Sequence, residues 1–154
     1  MSKRYFISVS LMTLIIPAAG SVAEHLSQHL FLTFELFCKW FIFSAVGLRL
    51  FVAGIMQTVK PAFTAKEIFH INNPEIFPIV RELGFANLCF GLVGIISLFK
   101  PEWRIVSAFA SGIYYGIAGL QHLIKKPVGA NEKFALWTDL LIFAVLFVYF
   151  IVTI

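Results

Sequence analysis

Five long runs of apolar residues alternate with short polar stretches along the chain. A helix needs about 20 mostly apolar residues to cross the hydrocarbon core of a bilayer, and each run is about that long. The pattern therefore predicts an all-α integral membrane protein, a single bundle of five transmembrane helices. The predicted spans cover residues 5–23, 34–56, 79–99, 103–124 and 132–153.

The longest polar stretch, residues 57–78, separates the second span from the third. Within it, Thr64 and Glu67 have the spacing of a capping box, in which the threonine caps the first helical turn and the glutamate bonds back. Apolar residues follow, and the sequence Asn72-Asn73-Pro74 is typical of a helix end. A short amphipathic helix at the membrane surface is therefore predicted between spans two and three.

The first span has features of a secretory signal peptide. Lys3 and Arg4 precede its apolar run, and Ser21-Val22-Ala23 would serve as a small-residue cleavage site. We expect the segment to be retained as a span. Pro17 lies inside it, and because a proline within a helix removes a hydrogen bond, a kink or a helix end is predicted there.

The composition agrees with a membrane protein. Of the 154 residues, 60% are hydrophobic and 13% are charged, whereas about 25% of the residues of soluble domains are charged. The net charge is +4, but the basic residues stand at the ends of the apolar runs, which does not indicate nucleic-acid binding. Cys38 and Cys89 lie within apolar runs and form no CxxC motif, so we interpret both as inert packing residues.

The segment 81–94, with the sequence RELGFANLCFGLVG, carries the strongest packing signal. At 3.6 residues per turn, four of its residues share one stripe of the third span: Gly84, Asn87, Gly91 and Gly94. Small residues allow the backbone of another helix to come close, which is how helices associate in lipid. We therefore expect the third span to be central in the bundle. The fourth span has a similar ridge of small residues at Ala108, Gly112 and Gly116.

Basic residues are unevenly distributed between the two ends of the predicted bundle. Eight stand at the end that holds the N-terminus: Lys3, Arg4, Lys60, Lys66, Arg81, Lys125, Lys126 and Lys133. Three stand at the other end: Lys39, Lys100 and Arg104. Because cytoplasmic loops carry the excess of Lys and Arg, the N-terminus is predicted to be cytoplasmic and the C-terminus to lie outside.

Polar residues within the spans concentrate in the predicted cytoplasmic half. At a rise of ~1.5 Å per residue, Arg49, Asn87 and Asp139 lie roughly 8–12 Å from the cytoplasmic edge. A charge within a span costs at least ~2.5 kcal/mol on insertion scales, so these side chains are expected to face inward and find partners. The whole predicted layer consists of Arg49, Gln57, Glu82, Asn87, Gln121, His122 and Asp139.

Three interpretations of this polar layer stay open. It is a structural ion pair of Arg49 with Asp139 or Glu82, or it lines a cavity that opens to the cytoplasmic leaflet and holds the polar head of an amphipathic ligand. In the third interpretation, Glu82, His122 and Asp139 form an acid/base site. The residues alone assign no catalytic role.

Two histidines near the first span have a spacing that suits a metal ion or haem. His25 and His29 stand four residues apart. No third ligand accompanies them in the sequence. No metal site and no cofactor are therefore predicted, with quinone and haem left open.

Four blocks of the sequence resemble an uncharacterised family of small bacterial inner-membrane proteins: GLRLFVAGIMQTVKPAFTAKEIF, VRELGFANLCFGLVGIISLF, GIYYGIAGLQHL and NEKFALWTDL. The resemblance covers roughly residues 40–145 and extends remotely to the DoxX-like helical bundles. It implies an inner-membrane location and a helical-bundle architecture, with no established activity. Relatives in the DoxX-like group have been tied to quinone-linked or thiol-linked redox processes, and the missing CxxC motif argues against a thiol role here. The residues at the polar motif positions of the family are Arg49, Gln57, Glu82, Asn87, His122 and Asp139.

The sequence as a whole favours a protein that binds a small amphipathic molecule, such as a lipid or a quinone-like compound, or a membrane partner at the polar layer. One alternative is an enzyme subunit acting on a lipid or quinone, with Glu82, His122 and Asp139 as proton carriers. Another is a purely structural subunit of a homo-oligomer or of a larger membrane complex, which would use the glycine ridges of spans three and four.

Overall fold

The computed structural model describes residues 2–127 and 129–154, and every regular element in these ranges is helical. A short 3₁₀ turn, Pro74–Ile76, leads into the fourth helix. The helices are α1 (Lys3–Gln28), α2 (Phe34–Val59), α3 (61–68), α4 (Phe77–Ile96), α5 (Glu102–Lys125) and α6 (Ala130–Thr153).

Four of these helices are long and apolar enough to cross a membrane: α1, α2, α4 with its leading turn, and α6. The all-helical class predicted from the sequence is therefore confirmed, and these four helices fit the predicted membrane protein. The predicted number of five spans is not confirmed, because α5 has the length of a span without its hydropathy. Glycine, serine and tyrosine residues take the place of aliphatic residues along its buried face, which lowers its mean hydropathy.

Two of the long helices contain a wide π-helical turn, at Leu11–Ile15 in α1 and at Ile42–Leu48 in α2, and the second half of α3, Thr64–Ile68, is π-helical as well. The two turns are joined where the Ser44 hydroxyl donates to the Met12 carbonyl over 2.7 Å. On the other side of α2, the Tyr115 hydroxyl donates to the Ala45 carbonyl over 3.1 Å. Side chains of neighbouring helices thus bond to backbone carbonyls in both wide turns, as a backbone without access to water requires.

Helix α1 does not end at Pro17, which corrects one of the alternatives predicted for this position. The helix runs on to Gln28, and Pro17 is buried directly after the π-helical turn. A proline crowds the carbonyl four residues before it and lacks an amide hydrogen. A wide turn at that place relieves the crowding, and α1 continues. The Ser21 hydroxyl in turn donates to the Pro17 carbonyl over 2.6 Å.

The glycine stripe of α4 packs against α2, but α4 is not the central helix that the sequence predicted, since 28% of its apolar stretch is buried against 56% for α2. All four stripe residues are buried. A Cβ atom added at Gly94 would lie 2.7 Å from the Gly47 Cα atom, and one added at Gly84 would lie 3.0 Å from the Gly54 carbonyl oxygen. The two backbones therefore touch along several turns, which only glycine permits.

Helices α5 and α6 pack along each other in an antiparallel arrangement. Gly116 faces the ring of Phe143, and one turn further Gly119 faces the side chain of Leu140. At these positions a glycine of α5 accommodates a large side chain of α6. The small-residue ridge predicted on α5 therefore lies at a helix contact, in which side chains of α6 pack against the backbone of α5.

The short helix α3 lies between α2 and α4, as predicted, but its start was predicted incorrectly. It begins at Pro61, where the fixed φ angle of proline suits the first helical position. Thr64 is buried inside the helix and has helical backbone angles, so it caps nothing. The helix is over by His70, which has a positive φ of 57°.

Candidate functional site

A cavity of about 920 Å³ opens at one end of the bundle, and all six helices contribute to its lining. This end holds the start of α1, the ends of α2 and α5, and the start of α6. The amide of Ser2 donates to Asn131 Oδ1 over 3.0 Å, which ties the start of the chain to the start of α6. The cavity is thus a property of the whole bundle and belongs to no single helix pair.

The deep part of the cavity contains a buried ion pair between α2 and α6. Arg49 Nη2 lies 2.6 Å from Asp139 Oδ1 and 3.0 Å from Thr138 Oγ1. The guanidinium also lies over the ring of Tyr115, 5.2 Å from the ring centroid. Arg49 and Asp139 are only 8% and 7% exposed, so both charges are removed from solvent. This geometry agrees with the requirement that charges within a membrane bundle pair with each other.

One end of the Arg49 guanidinium makes no hydrogen bond within the described protein, although the Tyr5 hydroxyl lies near this guanidinium. Its Nη1 atom is buried and makes no hydrogen bond to any described residue. A guanidinium has five N–H donors and a buried donor without an acceptor is costly. Because Arg49 lines the cavity, an acceptor atom of a bound molecule would satisfy this donor.

A second polar pair lies between α2 and α4. Asn87 Nδ2 donates to Gln57 Oε1 over 2.7 Å. Gln57 lines the cavity, whereas Asn87 is buried in the helix interface outside the lining. Four residues of the predicted polar layer therefore form two separate pairs, each with one member on α2.

A carboxylate flanked by two histidines lies closer to the mouth of the cavity. Glu132 at the start of α6 is 3.4 Å from a ring nitrogen of His122 and 3.4 Å from a ring nitrogen of His70. The contact joins the end of α5, the start of α6 and the segment after α3. Among the described residues, no three His, Cys, Asp or Glu side chains are arranged to hold a metal ion.

Three basic side chains surround the mouth of the cavity. Arg4 at the start of α1, Lys60 at the end of α2 and Lys125 at the end of α5 all line it and are exposed. None of them forms an ion pair within residues 2–127 and 129–154. We call these three residues the basic mouth.

The predicted layer residues differ in their placement. Glu82 lies on an exposed face of α4 and is absent from the cavity lining. It is also not the partner of Arg49, because Asp139 occupies that position. The layer residues that do line the cavity are Arg49, Gln57, Gln121, His122 and Asp139.

Several cavity residues were missed in the sequence. Tyr115 and Ala118 stand seven and four residues before the predicted layer residue His122, on the same face of α5, and all three line the cavity, so this spacing would have indicated one wall. Tyr5 and Glu132 carried no comparable signal, since each stands near the end of a run where polar residues are usual. The basic mouth was visible only as part of the positive charge at this end.

The fold and the cavity define an all-helical protein with several helices able to span a membrane and a polar site between them. The chain belongs to DUF6790, a family of unknown function, which matches residues 5–153. No curated protein and no solved structure matches the chain. The membership agrees with the prediction of a family without an assigned function, while its motif blocks, the likeness to DoxX-like bundles, the inner-membrane location and the bacterial origin stay predictions.

Proposed function

We propose that this chain is a membrane protein that binds one small amphipathic molecule, a lipid or a quinone-like compound, in the cavity at the end of the bundle. The observation that carries the proposal is the cavity of about 920 Å³ with the unpartnered Arg49 Nη1 atom in its wall. Ligand cavities in proteins commonly have volumes of about 300–1,000 Å³, apolar walls and a few placed polar groups.

The remaining walls suit the apolar part of such a ligand. Apolar side chains from all six helices form them, among them Met12, Leu50 and Ile117. Because the polar groups are concentrated at Arg49, Asp139 and the mouth, an amphipathic molecule can place polar and apolar atoms against matching surfaces. A purely polar solute would leave the apolar wall in contact with water, which is unfavourable.

The proposal includes five spans in a bacterial inner membrane, with the N-terminus in the cytoplasm. The packing of α5 along α6 supports the fifth span. Helix α6 is long and apolar enough to span a membrane, and α5 contacts it through Gly116 and Gly119. The excess of basic residues at the cavity end supports a cytoplasmic opening. The remote likeness to DoxX-like bundles belongs to the same proposal.

The two alternative functions receive less support. An acid/base site of Glu82, His122 and Asp139 would require all three residues at one place, and Glu82 faces away from the cavity. A purely structural role does not explain the cavity. The glycines that it would use for a partner are taken up by contacts within the chain.

Filling the cavity tests the proposal. We expect protein purified in mild detergent to carry one amphipathic molecule in native mass spectrometry, and a visible absorption spectrum identifies a haem or quinone. Substituting Ala53→Trp together with Ala118→Trp places two indoles in the cavity wall. This variant is expected to lose the bound molecule.

The matched control substitutes two exposed alanines outside the cavity lining, Ala86→Trp and Ala144→Trp. The control is expected to retain the molecule, and circular dichroism verifies that both variants are helical. Wild-type protein without any bound molecule, or equal retention in both variants, would contradict ligand binding in the cavity.

A further inference from the structure

We propose that the ligand of this cavity is an anionic amphiphile, whose phosphate or carboxylate group binds at the basic mouth while a neutral acceptor oxygen reaches Arg49 Nη1. This inference rests on the proposed function and adds the charge of the ligand. It excludes a neutral quinone-like compound as the preferred ligand.

The charges that line the cavity do not balance. Four basic residues line it: Arg4, Arg49, Lys60 and Lys125. Two carboxylates line it, and each already has partners in the protein. Asp139 pairs with Arg49, and Glu132 lies between two histidines. The lining of the cavity therefore carries a net positive charge, which comes from the three residues of the basic mouth.

The inner end of the cavity has a different chemistry. The Arg49 charge is offset by Asp139 at 2.6 Å, so a second anion there would be repelled by the carboxylate. What Arg49 still offers is the N–H donor on Nη1. A carbonyl, ester or hydroxyl oxygen satisfies such a donor without adding charge.

The distance between the two ends sets the size of the ligand. Lys60 stands eleven positions after Arg49 on the α2 side, which corresponds to ~16 Å along a helix. The anionic group and the inner oxygen are thus more than one helical turn apart, with the apolar walls between them. A bare inorganic anion spans only the mouth.

Native mass spectrometry with defined probes tests the inference. The probes are phosphatidylglycerol and 12-hydroxyoleate as the phosphate and carboxylate sources, phosphatidylcholine and decylubiquinone as competitors without net charge, and inorganic phosphate alone. We expect at least one anionic amphiphile to bind about tenfold more tightly than both competitors, and to weaken as salt rises. The tighter of the two anionic probes identifies the source of the charge.

Two triple variants separate the basic mouth from general surface charge. The mouth variant carries Arg4→Gln, Lys60→Gln and Lys125→Gln. The control variant carries Lys3→Gln, Lys66→Gln and Lys133→Gln, three exposed residues of the same end that do not line the cavity. The mouth variant is expected to lose about tenfold or more in affinity for the anionic probe, and the control about twofold or less.

The outcomes distinguish this inference from the proposed function. Competitors that bind as tightly as the anionic probes, or equal losses in both triple variants, overturn the anionic ligand and leave amphiphile binding intact. Inorganic phosphate that binds as well as the amphiphiles also overturns it. A protein that binds none of the amphiphiles overturns both. All three mouth residues are exposed, and wild-type salt dependence gives a second reading that needs no variant.

Discussion

Arg49 is the residue on which the site depends, and its surroundings explain why it is stable within the bundle. One terminal nitrogen binds Asp139 and Thr138, and the guanidinium lies over the ring of Tyr115. Removing one member of a buried ion pair leaves the other charge without compensation, whereas replacing both members with apolar residues is often neutral.

We therefore expect Asp139→Leu alone to destabilise the protein by about 3–5 kcal/mol, and Arg49→Leu with Asp139→Leu to return close to wild-type stability. Unfolding in mixed detergent–SDS micelles measures the difference. Lys133→Leu, on the exposed side of α6, is the control and should change stability by about 0.5 kcal/mol or less. A double variant as unstable as the single variant would contradict the paired-charge explanation.

The same double variant separates a structural role of the pair from a ligand-binding role. If the pair only locks the bundle, the folded double variant retains its bound amphiphile. If Arg49 holds the ligand, as proposed, the double variant folds and loses it. Native mass spectrometry of the variant already purified for the stability measurement decides between the two.

At the scale of single residues, the sequence indicated an ion pair of Arg49 and left open whether its partner is Asp139 or Glu82. A charge in the middle of an apolar run must find a counter-charge, so Arg49 and Asp139 were predictable from their positions. The choice against Glu82 follows from helix geometry. Glu82 precedes Gly84 by two residues, about 200° around the helix, and the glycine stripe faces α2. The unpartnered Nη1 atom had no signal in the sequence, because it depends on side-chain positions in five helices.

The α2–α4 contact is the element-scale feature that the sequence described best. A stripe of glycines at helical spacing predicts a close backbone contact, and Gly94 lies against Gly47 in the structure. The π-helical turns of α1 and α2 were not predictable, because a single wide turn leaves the apolar pattern on both sides almost unchanged. The start of α3 was missed because a threonine–glutamate spacing also occurs inside helices.

We expect Gly94→Ala to lower the free energy of unfolding strongly, because the added methyl group would lie 2.7 Å from backbone atoms of Gly47. Overpacking of this kind costs about 1–3 kcal/mol. Gly112→Ala is the matched control on α5, since its nearest neighbour, Leu146 Cβ, would lie at an ordinary 3.5 Å. Unfolding in SDS micelles should show a large loss for the first variant and little change for the second. Equal changes in the two variants would contradict the α2–α4 explanation, because alanine favours the helix over glycine at both positions and only Gly94 contacts the backbone of α2.

At the scale of the whole molecule, the cavity and the number of spans depend on how all six helices are arranged. The sequence predicted that polar residues of several helices lie at one end, because alternating directions bring them to the same depth. A cavity was one of three interpretations of this layer, and the sequence predicted neither its volume nor its full lining, since an empty volume depends on side-chain packing in three dimensions. The number of spans depends on α5. Its glycines and tyrosines lower its hydropathy, and the same residues form the contact with α6 and part of the cavity wall.

The two arrangements of α5 give different positions for the residues at its ends. With five spans, Lys100 before α5 and Lys126 after it lie on opposite sides of the membrane, and with four spans they lie on the same side. Single cysteines at these positions, in a background with Cys38→Ala and Cys89→Ala, can be labelled in intact cells by a maleimide that does not cross membranes. We expect the Lys100→Cys variant to react from outside and the Lys126→Cys variant only after permeabilisation, with Lys3→Cys as the control for the cavity end. Lys126→Cys reacting from outside together with Lys100→Cys would refute the fifth span, and it would place the end of α5, with its basic mouth residue Lys125, away from the cytoplasm.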